Sequence, residues 1–137
     1  MKKVVLGFLV VIALFSFSSF KPAGKDHDKR LVGVWKGFEV DRETEGVEKH
    51  WILNRYENGK YVIMFTAKEN CEIETLFEKG EWWTKDGKFY EKSQNSKYSD
   101  IYEYEIKDGI MVNYKSVELN GEKKTDYIFS DYKIDLD

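Results

Sequence analysis

The residues that could do chemistry are few, and their spacing gives little to build on. Asp26-His27-Asp28 has the residue types of a metal site. It falls, however, in a charged stretch with Pro22 and Gly24, where three ligands on a leader make no preformed geometry, so we read it as solvated linker. His50 is the only other histidine, and no serine or cysteine stands in a nucleophile motif. Cys71 is the sole cysteine; Glu69, Glu72 and Glu74 surround it with negative charge, the opposite of what an activated thiol needs. The carboxylate pairs Glu72/Glu74 and Glu103/Glu105 have the period of solvent-facing positions on strands. We expect no catalytic residues, no metal and no cofactor; the chain is not expected to be an enzyme.

What the chain has in quantity is aromatic surface. From residue 19 onward it carries 19 aromatic residues. Trp35, Trp51, Phe65, Phe77, Tyr102, Tyr104, Tyr114 and Tyr127 are the candidates to point into an interior. Rings with phenol groups at several heights suit a pocket for a planar or amphipathic molecule. The same rings could equally fill the space themselves.

The elements that would position these rings are strands. Turn pairs punctuate the chain at Asn58-Gly59, Asp86-Gly87, Asp108-Gly109 and Asn120-Gly121, residues that tolerate the positive φ of tight hairpins. Between them lie segments rich in aromatic and β-branched residues: 31–40, 47–56, 60–67, 73–84 (one bent strand, or two broken at Gly80), 88–92, 98–106, 110–117 and 123–130. Alternation sets Trp51 and Leu53 against His50 and Asn54, and Tyr102, Tyr104 and Ile106 against Glu103 and Glu105. Trp82 and Trp83 are adjacent, so one must face outward. No segment shows helical periodicity. Eight antiparallel neighbours leave two exposed edges unless the sheet closes, so we expect an all-β, up-and-down meander closed into a small barrel.

The address is written at the N-terminus. Met1-Lys2-Lys3, the apolar run Val4 to Phe15 and the small residues Ser16 and Ser18 have the layout of a secretory signal peptide cleaved after residue 18. An uncleaved anchor is the alternative, but Val4 to Phe20 is at the short limit for crossing a bilayer. We therefore expect a signal peptide at 1–18, a flexible leader at 19–30 and one barrel domain at 31–137. Its location would be the periplasm or the extracellular space, without a lipid anchor, since no cysteine lies near the cleavage region. Loss of Lys2 and Lys3 leaves 20 basic against 25 acidic residues, a net charge of −5. That sign gives no reason to bind nucleic acid. With one cysteine there is no internal disulfide, and the core must hold the domain.

Leu31-Val32-Gly33-Val34-Trp35-Lys36 resembles the Gly-x-Trp opening strand of lipocalins and of short exported bacterial lipocalin-like proteins. Lys79-Gly80-Glu81-Trp82 before Asp86-Gly87 is similar to the central hairpin of that group. The resemblance sets Trp35 at the base of the barrel, where its ring plugs one end or forms the floor of a ligand cavity, with Gly33 allowing close backbone passage. It also implies a cation from near the last strand packed across Trp35, for which Lys123 and Lys124 are the available residues. It further implies a carrier that binds a small apolar or aromatic molecule in the barrel interior. The alternative is a non-catalytic envelope interaction module or inhibitor acting through its outer face, suggested by the two-sided apolar strand 60–67 and the outward tryptophan. In either case membrane contact is expected only through the signal peptide.

Overall fold

In a computed structural model of the chain, residues 24–137 are described; the expected signal peptide and its cleavage site lie outside them. A 3-10 turn, Lys29–Leu31, leads into β1 (Gly33–Val40), β2 (Val47–Arg55), β3 (Lys60–Glu69), β4 (Glu72–Lys85), β5 (Lys88–Ser93), β6 (Asp100–Lys107), β7 (Met111–Leu119), the two-residue β8 (Glu122–Lys123) and β9 (Ile128–Lys133). Asp86-Gly87, Asp108-Gly109 and Asn120-Gly121 each place two successive residues at positive φ, the geometry that matches the twist of paired strands. Another tight turn is Asn70-Cys71, with Asn70 at φ 55°. This joins β3 directly to β4, extending both strands into the gap left between 60–67 and 73–84.

Every neighbouring pair is antiparallel, and the sheet closes. Consecutive strands pair from β1 through to β7; β9 then pairs with β7 on one side (Tyr114 opposite Phe129) and with β1 on the other (Trp35 opposite Lys133). The result is an eight-stranded antiparallel barrel with β8 as a short flap on β7. The closing strand differs from the expected 123–130. After β8 the chain leaves the sheet, and the strand that meets β1 is Ile128–Lys133. β4 runs unbroken through Gly80, where an added Cβ would stand 2.1 Å from the Lys92 carbonyl oxygen. Glycine there keeps the β4–β5 ladder intact instead of breaking the strand.

One end of the barrel is packed solid. Leu31, Trp35, Trp82, Phe89, Val112 and Tyr114 are buried together, and the Trp35 indole N–H donates to the Leu31 carbonyl at 2.9 Å. Trp35 plugs this end, but Gly33 serves another purpose than close passage. A Cβ on it would meet nothing nearer than 3.8 Å, while its φ of 120° is closed to other residues. The cation across Trp35 is Lys133, with Nζ 5.8 Å from the ring, and neither Lys123 nor Lys124.

Residues 26–30 of the expected leader make contacts with this closed end. Asp26 exchanges two backbone hydrogen bonds with Thr84, His27 packs edge-on against Trp82 at 5.1 Å, and the Tyr104 hydroxyl donates to Asp28 at 2.9 Å. Trp82 faces inward and Trp83 outward, yet both are buried. Trp83 stacks on Tyr90 at 5.4 Å, and the Lys25 ammonium lies 4.1 Å over its ring. The outward tryptophan expected as an interaction surface is therefore a covered one.

Candidate functional site

The inner wall is organised by a row that crosses three strands. Trp51 on β2 is opposite Gly37 on β1, and Lys36 opposite Tyr132 carries the same register on to Asp131 of β9. A Cβ on Gly37 would stand 2.0 Å from the Trp51 ring. The indole therefore lies flat over the glycine, and its N–H reaches the Asp131 carboxylate at 2.8 Å. Arg55, four residues further along β2, shares the inward parity of Trp51 and Leu53. Its Nη2 donates to the other Asp131 oxygen at 2.9 Å. The guanidinium lies over Phe89 at 4.8 Å and Tyr114 at 5.5 Å, so one surface rests on the packed end. Its Nε and Nη1 are buried without a hydrogen-bond partner, as is the Tyr114 hydroxyl.

Beyond this row the lumen is open. A cavity of about 240 Å3 is bordered by Trp51, Leu53, Ile63, Phe65, Tyr102 and Phe129, together with the charged residues Arg55, Glu78, Glu91 and Asp100. The three carboxylates come from β4, β5 and the start of β6, and Glu91 pairs directly with Asp100. The Tyr61 hydroxyl donates to Glu78 at 2.8 Å. Burial pushes the Glu91 carboxyl up to about 7, with the charge of Arg55 opposing and the neighbouring Asp131, Glu78 and Asp100 reinforcing the rise. Burial also raises Asp100, against the Asn120 N–H that donates to it.

The cavity shares Glu39, Lys49, Phe65 and Tyr127 with a groove of about 700 Å3 at the open rim, whose other walls include Ala67, Thr75 and Leu76. At this rim the Tyr127 hydroxyl donates to Glu39 at 3.0 Å, and Lys49 pairs with both Glu39 and Asp41.

Of the residues expected to line an interior, Trp51, Phe65, Tyr102 and Tyr127 border the cavity. Trp35, Tyr104 and Tyr114 point inward but belong to the closed end, Tyr104 being anchored on Asp28. Phe77 is a correction: it lies on the outer surface, 74% exposed. With β4 continuous through Gly80, the inward Trp82 assigns Leu76 and Glu78 to the lumen and Phe77 to the outside. Arg55, Glu91, Asp100 and Asp131 were missed. Arg55 and Glu91 could have been found, since they share parity with Trp51 and Phe89 respectively. Among the described residues no cluster of histidine, cysteine and carboxylates could hold a metal ion. Compared with known proteins, the chain matches no family model, no curated protein and no solved structure.

Proposed function

We propose that this protein is an exported lipocalin-like binding protein that holds one small molecule in its barrel, against Trp51, Phe65, Tyr102 and Phe129. The observation that carries this reading is the contrast between the two halves of the lumen. Around Trp35 the side chains fill the space, whereas beyond Arg55 a cavity of about 240 Å3 remains and opens to the rim. An apolar cavity of about 150 Å3 already holds a benzene ring, so the space suits a single-ring molecule. Eight strands are the barrel size at which the interior can be either filled or left for one ligand. Native mass spectrometry of the protein purified from its own cell envelope tests the reading. A retained mass in the range of a small organic molecule is the expected result; the bare chain, together with no binding from a small-molecule panel, would end it.

A second reading has its own observation. Ile52, Met64 and Phe77 stand in one cross-strand row on the outer face of β2, β3 and β4, with Phe38 and Val62 beside them. Phe77 is 74% exposed, and contiguous apolar surface of this kind marks contact with another protein. A bound chain in the same spectrum would favour the interaction module.

A further inference from the structure

The chemistry of the cavity wall narrows the class of ligand, given the reading that the barrel holds one. A purely apolar guest would leave the cavity's charged groups unanswered. Arg55 is fully buried, yet only Nη2 has a partner; Nε and Nη1 remain as donors without an acceptor. A buried donor without a partner is costly, more so when charged, so an occupant with an acceptor gains by meeting it. The same cavity is bordered by Glu78, Glu91 and Asp100, carboxyl groups that an occupant can meet with donors.

A simple anion is disfavoured as well. Asp131 already neutralises Arg55, and the further carboxylates of the wall, Glu39, Glu78, Glu91 and Asp100, outnumber Lys49. A simple cation would answer the carboxylates but place its charge in the same cavity as a guanidinium that still lacks acceptors. The wall of the site asks for both a donor and an acceptor within a volume little larger than one ring.

The geometry points to a small dipolar ligand of amino-acid size. Its carboxylate or other strong acceptor is held by the free donors of Arg55, its ammonium faces Glu91 and Asp100, and its apolar body rests on Trp51, Phe65 and Phe129 toward the rim. Such a molecule is electrically neutral as a whole, so it enters without a net charge and answers both kinds of group at once. The aromatic neighbours suit the ammonium group too, through cation–π contact with Tyr102 or Trp51.

Four probes that share a phenyl ring separate the possibilities: phenylalanine, 2-phenylethylamine, 3-phenylpropionate and ethylbenzene. Binding is read from the Trp51 indole N–H resonance, which sits on the cavity wall and donates to Asp131, and by calorimetry. Phenylalanine is expected to bind at least tenfold more tightly than either singly charged probe. Glu91→Gln and Asp100→Asn are expected to lower the phenylalanine advantage over 3-phenylpropionate while the protein stays folded. These variants avoid Arg55, whose replacement disturbs the buried pair. If phenylalanine binds no better than 2-phenylethylamine or 3-phenylpropionate, the dipolar class is wrong. If ethylbenzene binds best, the dipolar class is also wrong but the carrier reading stands. If no probe shifts the Trp51 resonance, the dipolar class falls, and the panel arm of the carrier test has failed with it.

Discussion

Arg55 and Asp131 are separated by 76 positions in the chain and meet at 2.9 Å inside the barrel, with 1% and 0% of their side-chain surfaces exposed. The pair ties β2 to β9 across β1, and the Trp51 indole completes it on the second Asp131 oxygen. It also divides the lumen: rings fill the space on one side, and a cavity opens on the other.

Removing one partner of this pair strands a charge. Asp131→Ala is expected to destabilise the fold by about 3–5 kcal/mol, because a buried guanidinium loses its counter-ion. Replacing both residues with apolar ones of similar volume is expected to recover most of that loss. Urea unfolding of the single and double variants measures the difference. Equal losses in both would show that shape, not charge, holds this row together.

Gly37 admits no side chain. Gly37→Ala pushes a methyl group into the Trp51 ring, 2.0 Å from it at the ideal position. The expected cost is about 1–3 kcal/mol, typical of overpacking. The Trp51–Asp131 hydrogen bond should be disturbed at the same time, visible in the indole N–H resonance. An unchanged resonance and midpoint would mean the indole does not lie over the glycine.

Glu91 makes stability depend on pH. Its carboxyl titrates near 7 in the folded protein against an ordinary value of 4.5, so between those values the folded state holds a proton that the unfolded state has released. Stability should therefore fall as pH rises from 4.5 to 7 and level off above, by at most about 3 kcal/mol. Asp100, also raised, acts in the same direction. Thermal melts across this range should show the slope, and Glu91→Gln should flatten most of it. Stability that rises toward pH 7 in the wild type but not in the variant would reverse the assignment.

Phe77 and Phe89 test which way β4 and β5 face. Phe77→Ser, on the exposed outer surface, is expected to change stability by no more than about 0.5 kcal/mol. Phe89→Ala, fully buried among Trp82, Tyr102 and Tyr114, is expected to cost about 3–5 kcal/mol. Denaturant midpoints of the two variants, at two protein concentrations, decide it. A concentration-dependent loss for Phe77→Ser would point to a partner on that face.

The strands, their antiparallel order and their turns were written locally in the chain. Asp86-Gly87 and Asp108-Gly109 determine hairpins because neighbouring residues set backbone φ, and alternation along β2 and β6 determines which side of each strand is apolar. The family likeness rested on residues of the same local kind, around Gly33 and Trp35. What local pattern could not decide was how distant strands would line up. Phe77 moved to the outside because Gly80 continues the strand where a glycine could equally have broken it. The closing strand fell at Ile128–Lys133 because barrel closure sets which residues can reach β1. Arg55, Glu91, Asp100 and Asp131 became one site only when register and strand tilt brought four separate strands around the same space. Each taken alone is an ordinary charged residue on an alternating strand; the closed barrel buries Arg55 and Asp131 and partly buries Glu91 and Asp100.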